Sequence, residues 1–174
     1  MPKIIEGLRE EILRAARARL LAEGWQAFNV RSLARDCGVS VGTIYDYYPS
    51  KGALLANVMG RDWREMLDGV RDGEYGSAEE ALQALYEGIG EFVDRYRPAL
   101  SRYVFSPRET PDFAHGHRMV ICQLAAVVSV ILRPFRAEDD PELARFISDA
   151  LLSHSRFGDC PYERIGPYIR KLLE

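Results

Sequence analysis

The sequence predicts an all-α protein, and two features of its 174 residues support that prediction. Apolar residues recur three and four positions apart through most of the chain, which is the spacing that gives a helix one buried face. No alternation of apolar and polar residues is long enough to demand a sheet. A chain of this length fits one or two domains and can bury a core.

The segment from Asn29 to Gly38 specifies a short helix with a defined start and a defined end. The Asn29 amide can cap a helix that runs from Val30 to about Cys37. Gly38 supplies the left-handed residue that ends a helix sharply. A turn is therefore expected directly after this helix.

A second short helix follows the turn. Ser40 can cap it through a backbone amide of the first helical turn, and Pro49 ends it by disfavouring helical geometry at the residue before. Ile44 and Tyr48 are four residues apart and can pack inward together. Two short helices joined by a glycine turn form a helix-turn-helix, whose second helix can enter the major groove of DNA.

Residues 8–60 resemble the N-terminal domain of the TetR family of bacterial transcriptional regulators. The matching positions are Ala15, Ala16 and Leu20, Glu23-Gly24, Phe28, Leu33-Ala34, Gly38-Val39-Ser40, Gly42-Thr43-Ile44-Tyr45 and Tyr48-Pro49-Ser50-Lys51. These motifs cover about a third of the chain. The resemblance implies an N-terminal three-helix helix-turn-helix DNA-binding domain over residues 1–50 and a C-terminal helical ligand-binding and dimerisation domain over residues 51–174.

The resemblance also implies which residues contact double-stranded DNA. In the family, base edges are contacted from the positions that hold Val41, Gly42, Tyr45 and Asp46 in this chain. Phosphates are contacted from the positions of Thr43, Tyr47 and Lys51. The DNA backbone or the groove edge is contacted from the positions of Arg31 and Ser32.

Some of these residues depart from the usual family pattern. Val41 is apolar where a polar or basic residue is frequent, so we expect it to contact a thymine methyl group. Asp46 would repel phosphates unless it accepts a hydrogen bond from a cytosine amino group or pairs with an arginine. Tyr47 replaces a frequent histidine and keeps a hydroxyl donor.

Five further helical segments are predicted from caps and apolar stripes. They are residues from near Ser50 to about Arg71, a helix capped by Ser77 and Glu80 and closed by Pro98, residues from about Pro111 to Leu132, a helix from the Asp140 cap to about Phe157, and a segment after Pro161 that Pro167 breaks.

The last two of these segments are the candidates for self-association. In the family, two such C-terminal helices pair with their copies, so the resemblance implies a homodimer that places two heads on the half-sites of a palindrome. The alternative is that both helices only cover the core of one protomer.

The resemblance further implies a pocket for an unidentified small-molecule effector among the middle helices. The residues to suspect there are Trp63, Met66, Tyr86, Phe92, Tyr96, Tyr103, Phe113, His117 and Met119. Aromatic stripes are also common in ordinary cores. His117 can hydrogen-bond either a ligand or a neighbouring carbonyl group.

The charge distribution agrees with DNA binding at the N-terminal end. The formal net charge is −3, but residues 1–60 contain eight Lys or Arg against six Asp or Glu, whereas residues 61–174 contain fifteen against twenty. The two parts therefore carry net charges of +2 and −5. Because the basic excess is small, we expect that a dimer is required for useful affinity.

Neither an enzyme nor a metalloprotein is indicated. The three histidines lie outside any Ser or Cys motif, and no glycine-rich phosphate loop is present, so no catalytic residue and no cofactor is predicted. His115 and His117 would point different ways on a helix, so no metal site is predicted. The three cysteines include no CxxC pair and indicate reduced thiols.

No membrane partner is expected. A charged and then apolar signal sequence does not open the chain, and the longest apolar stretch, Met119 to Leu132, has only 14 residues. A helix needs about 20 residues to span a bilayer. We therefore expect a cytoplasmic protein.

Together these features predict a TetR-like transcriptional regulator, more specifically a repressor that binds a palindromic operator as a homodimer and releases it when a ligand binds. The alternative is a helical protein-interaction module that has kept the helix-turn-helix and lost DNA binding. Asp46 and the acidic balance of the chain favour that alternative.

Overall fold

The computed structural model describes residues 6–100, 111–135, 139–155 and 160–173; the side chains of residues 98–100 and 111–117 are not described. The α-helices in these ranges are α1 (Leu8–Ala27), α2 (Val30–Asp36), α3 (Val41–Tyr47), α4 (Lys51–Arg71), α5 (Ala78–Leu100), α6 (Pro111–Leu132), α7 (Pro141–Ser155) and α8 (Tyr162–Leu173). A short 3₁₀ helix, Arg133–Phe135, follows α6. The described ranges contain no strand, and the all-α prediction is confirmed.

The chain divides into two compact units. The first comprises Met1–Trp63 with Arg95–Ser106, and the second comprises Arg64–Asp94 with Pro107–Glu174. Both α4 and α5 therefore contribute residues to each unit. The functional domain boundary after residue 50 remains a prediction.

The core of the first unit is formed where α2 contacts both α1 and α3. Ile12, Leu33 and Ile44 are each at most 1% exposed. Tyr48 is equally buried, and its hydroxyl donates to the Arg9 carbonyl at 3.4 Å. The prediction that Ile44 and Tyr48 face inward is confirmed.

The turn between α2 and α3 has the predicted geometry. The Asn29 side chain accepts a hydrogen bond from the Arg31 amide at 2.8 Å, which caps α2. Gly38 has a φ of 63°, in the left-handed region. The amide after it, that of Val39, donates to the Ala34 carbonyl at 2.9 Å. This bond satisfies a carbonyl that the end of a helix otherwise leaves without a partner.

The helix caps of the second unit were also predicted. The Ser77 hydroxyl accepts from the Glu80 amide at 3.1 Å, while the Glu80 carboxylate accepts from the Gly76 amide at 2.8 Å. The Glu80 side chain thus bonds to the amide one residue before the Ser77 cap, and not to the amide of Ser77. The Asp140 carboxylate accepts from the amides two and three residues later, at 3.1 and 3.0 Å.

The second unit is held together by the apolar faces of its helices, with α6 packed along α7. Side chains that are at most 7% exposed come from all four of α5 to α8. They include Leu82, Leu85 and Ile89, Leu124 and Val128, Ile147 and Leu151, and Ile165 and Ile169.

Two helix ends predicted at prolines are wrong. Pro98 lies inside α5, which extends past it, and Pro167 lies inside α8. A proline removes one hydrogen-bond donor and crowds the carbonyl four residues earlier. In α8 that cost is offset because Tyr162, Ile165 and Ile169 are buried on one face. The end predicted for the fourth segment, Phe157, lies outside the described residues.

One window of the described residues, Arg118–Phe135, is long and apolar enough to count as a candidate membrane-spanning helix. Its mean hydropathy is 1.6, and 33% of its 18 residues are buried. It exceeds the predicted 14-residue stretch because the window includes flanking arginines. Length and hydropathy alone do not distinguish a spanning helix from a core helix, and α6 contributes Leu124 and Val128 to the core.

The left-handed conformation of Gly38 predicts a specific effect on stability. Gly38→Ala should lower the free energy of unfolding by about 1–2 kcal/mol, because a residue with a Cβ atom is strained at positive φ. Gly69→Ala, within α4, should raise it by about 0.5–1 kcal/mol, because alanine favours a helix. An added Cβ would meet nothing within 4 Å at either site. Urea denaturation of both variants tests this, and a change of the same sign in both would contradict it.

Candidate DNA interface

The orientation of α3, a helix of seven residues, is set by its cap and by one buried face. The Ser40 hydroxyl accepts from the Thr43 amide at 3.0 Å and lies 2.9 Å from the Thr43 hydroxyl. Ile44 is 1% exposed and anchors the helix in the core. The amide of Tyr48 ends the helix by donating to the Ile44 carbonyl at 2.9 Å.

The residues predicted to read base edges lie on the outward part of α3. Gly42, Tyr45 and Asp46 are exposed, and Tyr45 is 44% exposed. Val41, at the start of the helix, is half-buried. An exposed aromatic ring beside a glycine gives α3 a surface that can approach a groove closely.

The flanking residues predicted to contact DNA are placed less uniformly. Thr43 and Tyr47 are half-buried, and the Thr43 hydroxyl is already within hydrogen-bond distance of Ser40. At the start of α2, Arg31 is exposed and Ser32 is half-buried. The individual DNA contacts of all these residues remain predictions.

Lys51 begins α4 and contacts two aromatic rings of the same unit. Its ammonium group donates to the Trp25 carbonyl at 2.7 Å and lies 4.3 Å from the centroid of the Trp25 ring. It lies 5.5 Å from the centroid of the Phe28 ring. Burial lowers the pKa of Lys51 from its ordinary value. An ammonium group has three hydrogen-bond donors, so Lys51 can contact a phosphate while it keeps its bond to Trp25. The phosphate contact remains a prediction.

Trp25 was not predicted to be part of this arrangement. Gly24, with a φ of 74° and a ψ of 168°, kinks α1 just before Trp25. The Trp25 and Phe28 rings then stack with centroids 6.4 Å apart. Gly24 was noted only as part of the family motif, and the aromatic pair after it gave no indication that a lysine 26 residues away would lie over it.

Salt bridges at the surface connect α1 to its neighbours. Arg19 pairs with Asp36 of α2 and, at 2.5 Å, with Glu23 of its own helix. Arg61 of α4 pairs with Glu10 at 3.0 Å. The hydrogen bond from Arg19 lowers the pKa of Asp36. Exposed pairs of this kind add little to the free energy of unfolding.

The residues predicted to bind an effector are divided between the two units. Trp63 and Tyr96 belong to the first unit and are 7% and 0% exposed, whereas Met66, Tyr86 and Phe92 belong to the second. The Tyr96 hydroxyl donates to Asp62, and the Tyr86 hydroxyl to the Cys160 carbonyl.

The remaining predicted effector residues lie on or after α5. Met119 is 50% exposed on α6. Tyr103 lies outside the described residues, as do the side chains of Phe113 and His117. The assignment of this whole set to an effector pocket stays a prediction.

A cavity of about 280 Å³ lies in the second unit between the start of α5, the 3₁₀ helix and α8. Its lining includes Glu79, Phe135, Tyr162 and Arg170. Arg170 pairs with the Glu79 carboxylate at 2.5 Å, so the charged groups of the lining neutralise each other. A gap of about 10 Å³ lies beside Trp25 in the first unit. Neither cavity is lined by a residue predicted to bind an effector.

The helix-turn-helix matches a known protein family. The model of the family described as bacterial regulatory proteins, tetR family, matches residues 12–58, which cover α1 to α3 and the start of α4. Residues 12–58 are a TetR-family domain. The chain is therefore a helix-turn-helix, DNA-binding transcriptional regulator, as predicted from the motifs of residues 8–60.

Curated relatives extend the similarity beyond the matched domain. The chain is 29% identical over 153 residues to the HTH-type transcriptional repressor KstR of Mycobacterium tuberculosis, covering 84% of this chain and 68% of that protein. It is 27% identical over 90 residues to the HTH-type transcriptional regulator UidR of Escherichia coli, covering 48% and 45% of the two chains.

Solved structures share the fold along almost the whole chain. A transcriptional regulator from Cytophaga hutchinsonii aligns with a TM-score of 0.67 at 18% identity, covering 97% of this chain and 95% of that one. The regulator FadR of Bacillus subtilis, in complex with stearoyl-CoA, aligns with a TM-score of 0.51 at 16% identity, covering 94% and 96%. These alignments establish the fold of both units.

Metal binding is not supported by the described ranges. No group of three or more His, Cys, Asp or Glu side chains there is placed to hold a metal ion.

The contact between Lys51 and Trp25 predicts a loss of stability in the absence of DNA. Lys51→Met keeps the length of the side chain but removes the hydrogen bond and the cation–π contact, so the free energy of unfolding should fall by about 1–2 kcal/mol. Lys171→Met, at an exposed position of α8, should change it by less than about 0.5 kcal/mol. Denaturant titration of both variants tests this, and equal effects would show that the Trp25 contact is not stabilising.

Proposed function

We propose that this TetR-family regulator is a repressor that binds a palindromic operator as a homodimer and releases it when a small molecule binds. The observation that carries the proposal is the capped turn that anchors α3 through Ile44 and leaves Gly42, Tyr45 and Asp46 exposed. The repressor name of the KstR relative supports the direction of regulation.

Contact with operator DNA is supported by how the exposed groups are distributed. Tyr45 has an amphipathic side chain that can contact a base edge, and Arg31 can neutralise a phosphate from the start of α2. Residues 1–60 have a net charge of +2, and the rest of the chain has −5. A basic DNA-binding unit attached to an acidic body favours one orientation on the duplex.

A homodimer is supported by apolar side chains exposed on the last two helices. Phe146 of α7 is 60% exposed, and Tyr168 and Leu172 of α8 are 70% and 43% exposed. Large apolar side chains left exposed on one unit are candidates for an interaction surface. Because a palindromic operator has two-fold symmetry, the partner that fits is a second copy of the chain.

Release by an effector is proposed to act through α4. Residues 51–63 of this helix belong to the first compact unit and residues 64–71 to the second. An effector that shifts α4 changes the separation of the two α3 helices in the dimer and breaks their match to half-sites about one helical turn apart. A cytoplasmic location fits this role. Independent binding of effector and operator would contradict the mechanism.

The DNA contacts can be tested on a sequence selected by the wild-type protein from random duplexes. Tyr45→Ala should weaken binding about tenfold or more, because it removes a base contact. Arg31→Ala should weaken it on all sequences and reduce the salt slope by about one, because it removes a phosphate contact. Fluorescence anisotropy at several salt concentrations measures both.

The matched control is Arg64→Ala, at an exposed position of α4 outside the predicted contacts. It should leave both the affinity and the salt slope unchanged. Equal effects of the two arginine substitutions would contradict the proposed interface. Failure of the wild-type protein to select any sequence would favour the interaction-module alternative.

The proposed dimer surface predicts a change in oligomeric state. Phe146→Glu and Tyr168→Glu should shift the protein from dimer to monomer, because each places a charge on a surface that the dimer buries. Leu21→Glu, at a 41% exposed position of α1, should remain dimeric. Sedimentation velocity distinguishes these outcomes. A wild-type protein that is monomeric at all accessible concentrations would refute the dimer.

A further inference from the structure

Asp62 is a buried carboxylate at the centre of a partly exposed polar cluster in the first unit. Its side chain is 1% exposed, and the Arg17 Nε group donates to both carboxylate oxygens at 2.8 Å. The Tyr96 hydroxyl donates to Oδ2 at 2.7 Å, and Arg95 approaches the same oxygen at 3.4 Å. The carboxylate of α4 is therefore shared between α1, which carries Arg17, and the C-terminal part of α5.

The cluster resists separation of its helices for an electrostatic reason. A buried carboxylate is tolerated only when hydrogen bonds and an opposite charge replace the water that it has lost. Here the replacement comes from two other helices, so a displacement of either one leaves the Asp62 charge poorly compensated. Burial and the hydrogen bond to Asp62 raise the pKa of Tyr96, so its hydroxyl remains a donor well into the alkaline range.

The partners of Asp62 connect to different parts of the chain. On α1, the Arg9 carbonyl accepts the hydroxyl of Tyr48, the residue that ends α3. On α5, residues 78–94 belong to the second compact unit and residues 95–100 to the first. The cluster thus lies where a helix shared with the second unit meets the helix that supports α3.

We propose that Asp62 and Tyr96 are positioning residues for operator binding, and that a shift of the C-terminal part of α5 reaches α1 and α3 through the Asp62 carboxylate. This inference rests on the proposed function as a DNA-binding repressor. It adds a second connection, α5 to α1, to the one that α4 provides. Neither residue needs to touch DNA, because both act through the placement of α1.

The test is the single-atom substitution Tyr96→Phe, which removes the hydroxyl and leaves the ring in the core. The matched control is Tyr162→Phe, since Tyr162 is also buried and its hydroxyl donates to the Glu79 carbonyl within the second unit. We expect both variants to fold, with the larger loss of thermal stability in Tyr96→Phe because its hydroxyl donates to a carboxylate, so binding is measured at a temperature at which both variants are folded. Only Tyr96→Phe should weaken binding to the selected operator, by about tenfold, while the salt slope stays unchanged because no phosphate contact is lost.

Hydrogen exchange of the DNA-free protein supplies a second readout. Amides of α1 should exchange faster in Tyr96→Phe than in the wild-type protein, and at the wild-type rate in Tyr162→Phe. Asp62→Asn should show the larger effect, because it removes the carboxylate charge that pairs with Arg17. If Asp62→Asn does not fold, Tyr96→Phe still decides the question.

The outcomes separate this inference from the proposed function. Tyr96→Phe binding the operator as tightly as the wild-type protein would overturn the positioning role and leave the repressor proposal intact. Equal weakening by Tyr162→Phe would also overturn it, because the effect would then be general destabilisation. A wild-type protein that selects no DNA sequence would overturn the proposed function and the positioning role together.

Discussion

The candidate DNA interface depends on one backbone constraint, the left-handed conformation at Gly38. It ends α2 and allows the Val39 amide to bond back to the Ala34 carbonyl at 2.9 Å. The chain can then enter α3 with Ser40 already in capping position. Because α3 has only seven residues, it is too short to be stable alone, and its direction is fixed entirely by this corner and by Ile44.

The local part of this architecture could be predicted from the sequence. The caps formed by Asn29, Ser40, Ser77 and Asp140 bond to amides two or three residues away, so residue type and spacing were sufficient to find them. The same holds for the inward positions of α3. Such signals gave the order of the helices from α2 to α8 in the described ranges, because that order depends on short-range geometry.

The contacts that hold the first unit together could not be predicted in the same way. Lys51 and Trp25 are 26 residues apart, and Tyr96 and Asp62 are 34 apart. Neither contact is marked by a sequence motif, because each forms only when α4 packs against its neighbours. The helix end wrongly placed at Pro167 has a related cause, because the buried face of α8 outweighs the local cost of the proline.

The exposed apolar side chains of α7 and α8 have a consequence for how such a regulator works in a cell. Phe146 and Tyr168 are 60% and 70% exposed within one protomer. In the proposed homodimer, covering these side chains links the stability of each copy to the number of copies present. Operator occupancy would then rise steeply above a threshold concentration of the regulator. Target genes would therefore respond to the expression level of the regulator as well as to its effector.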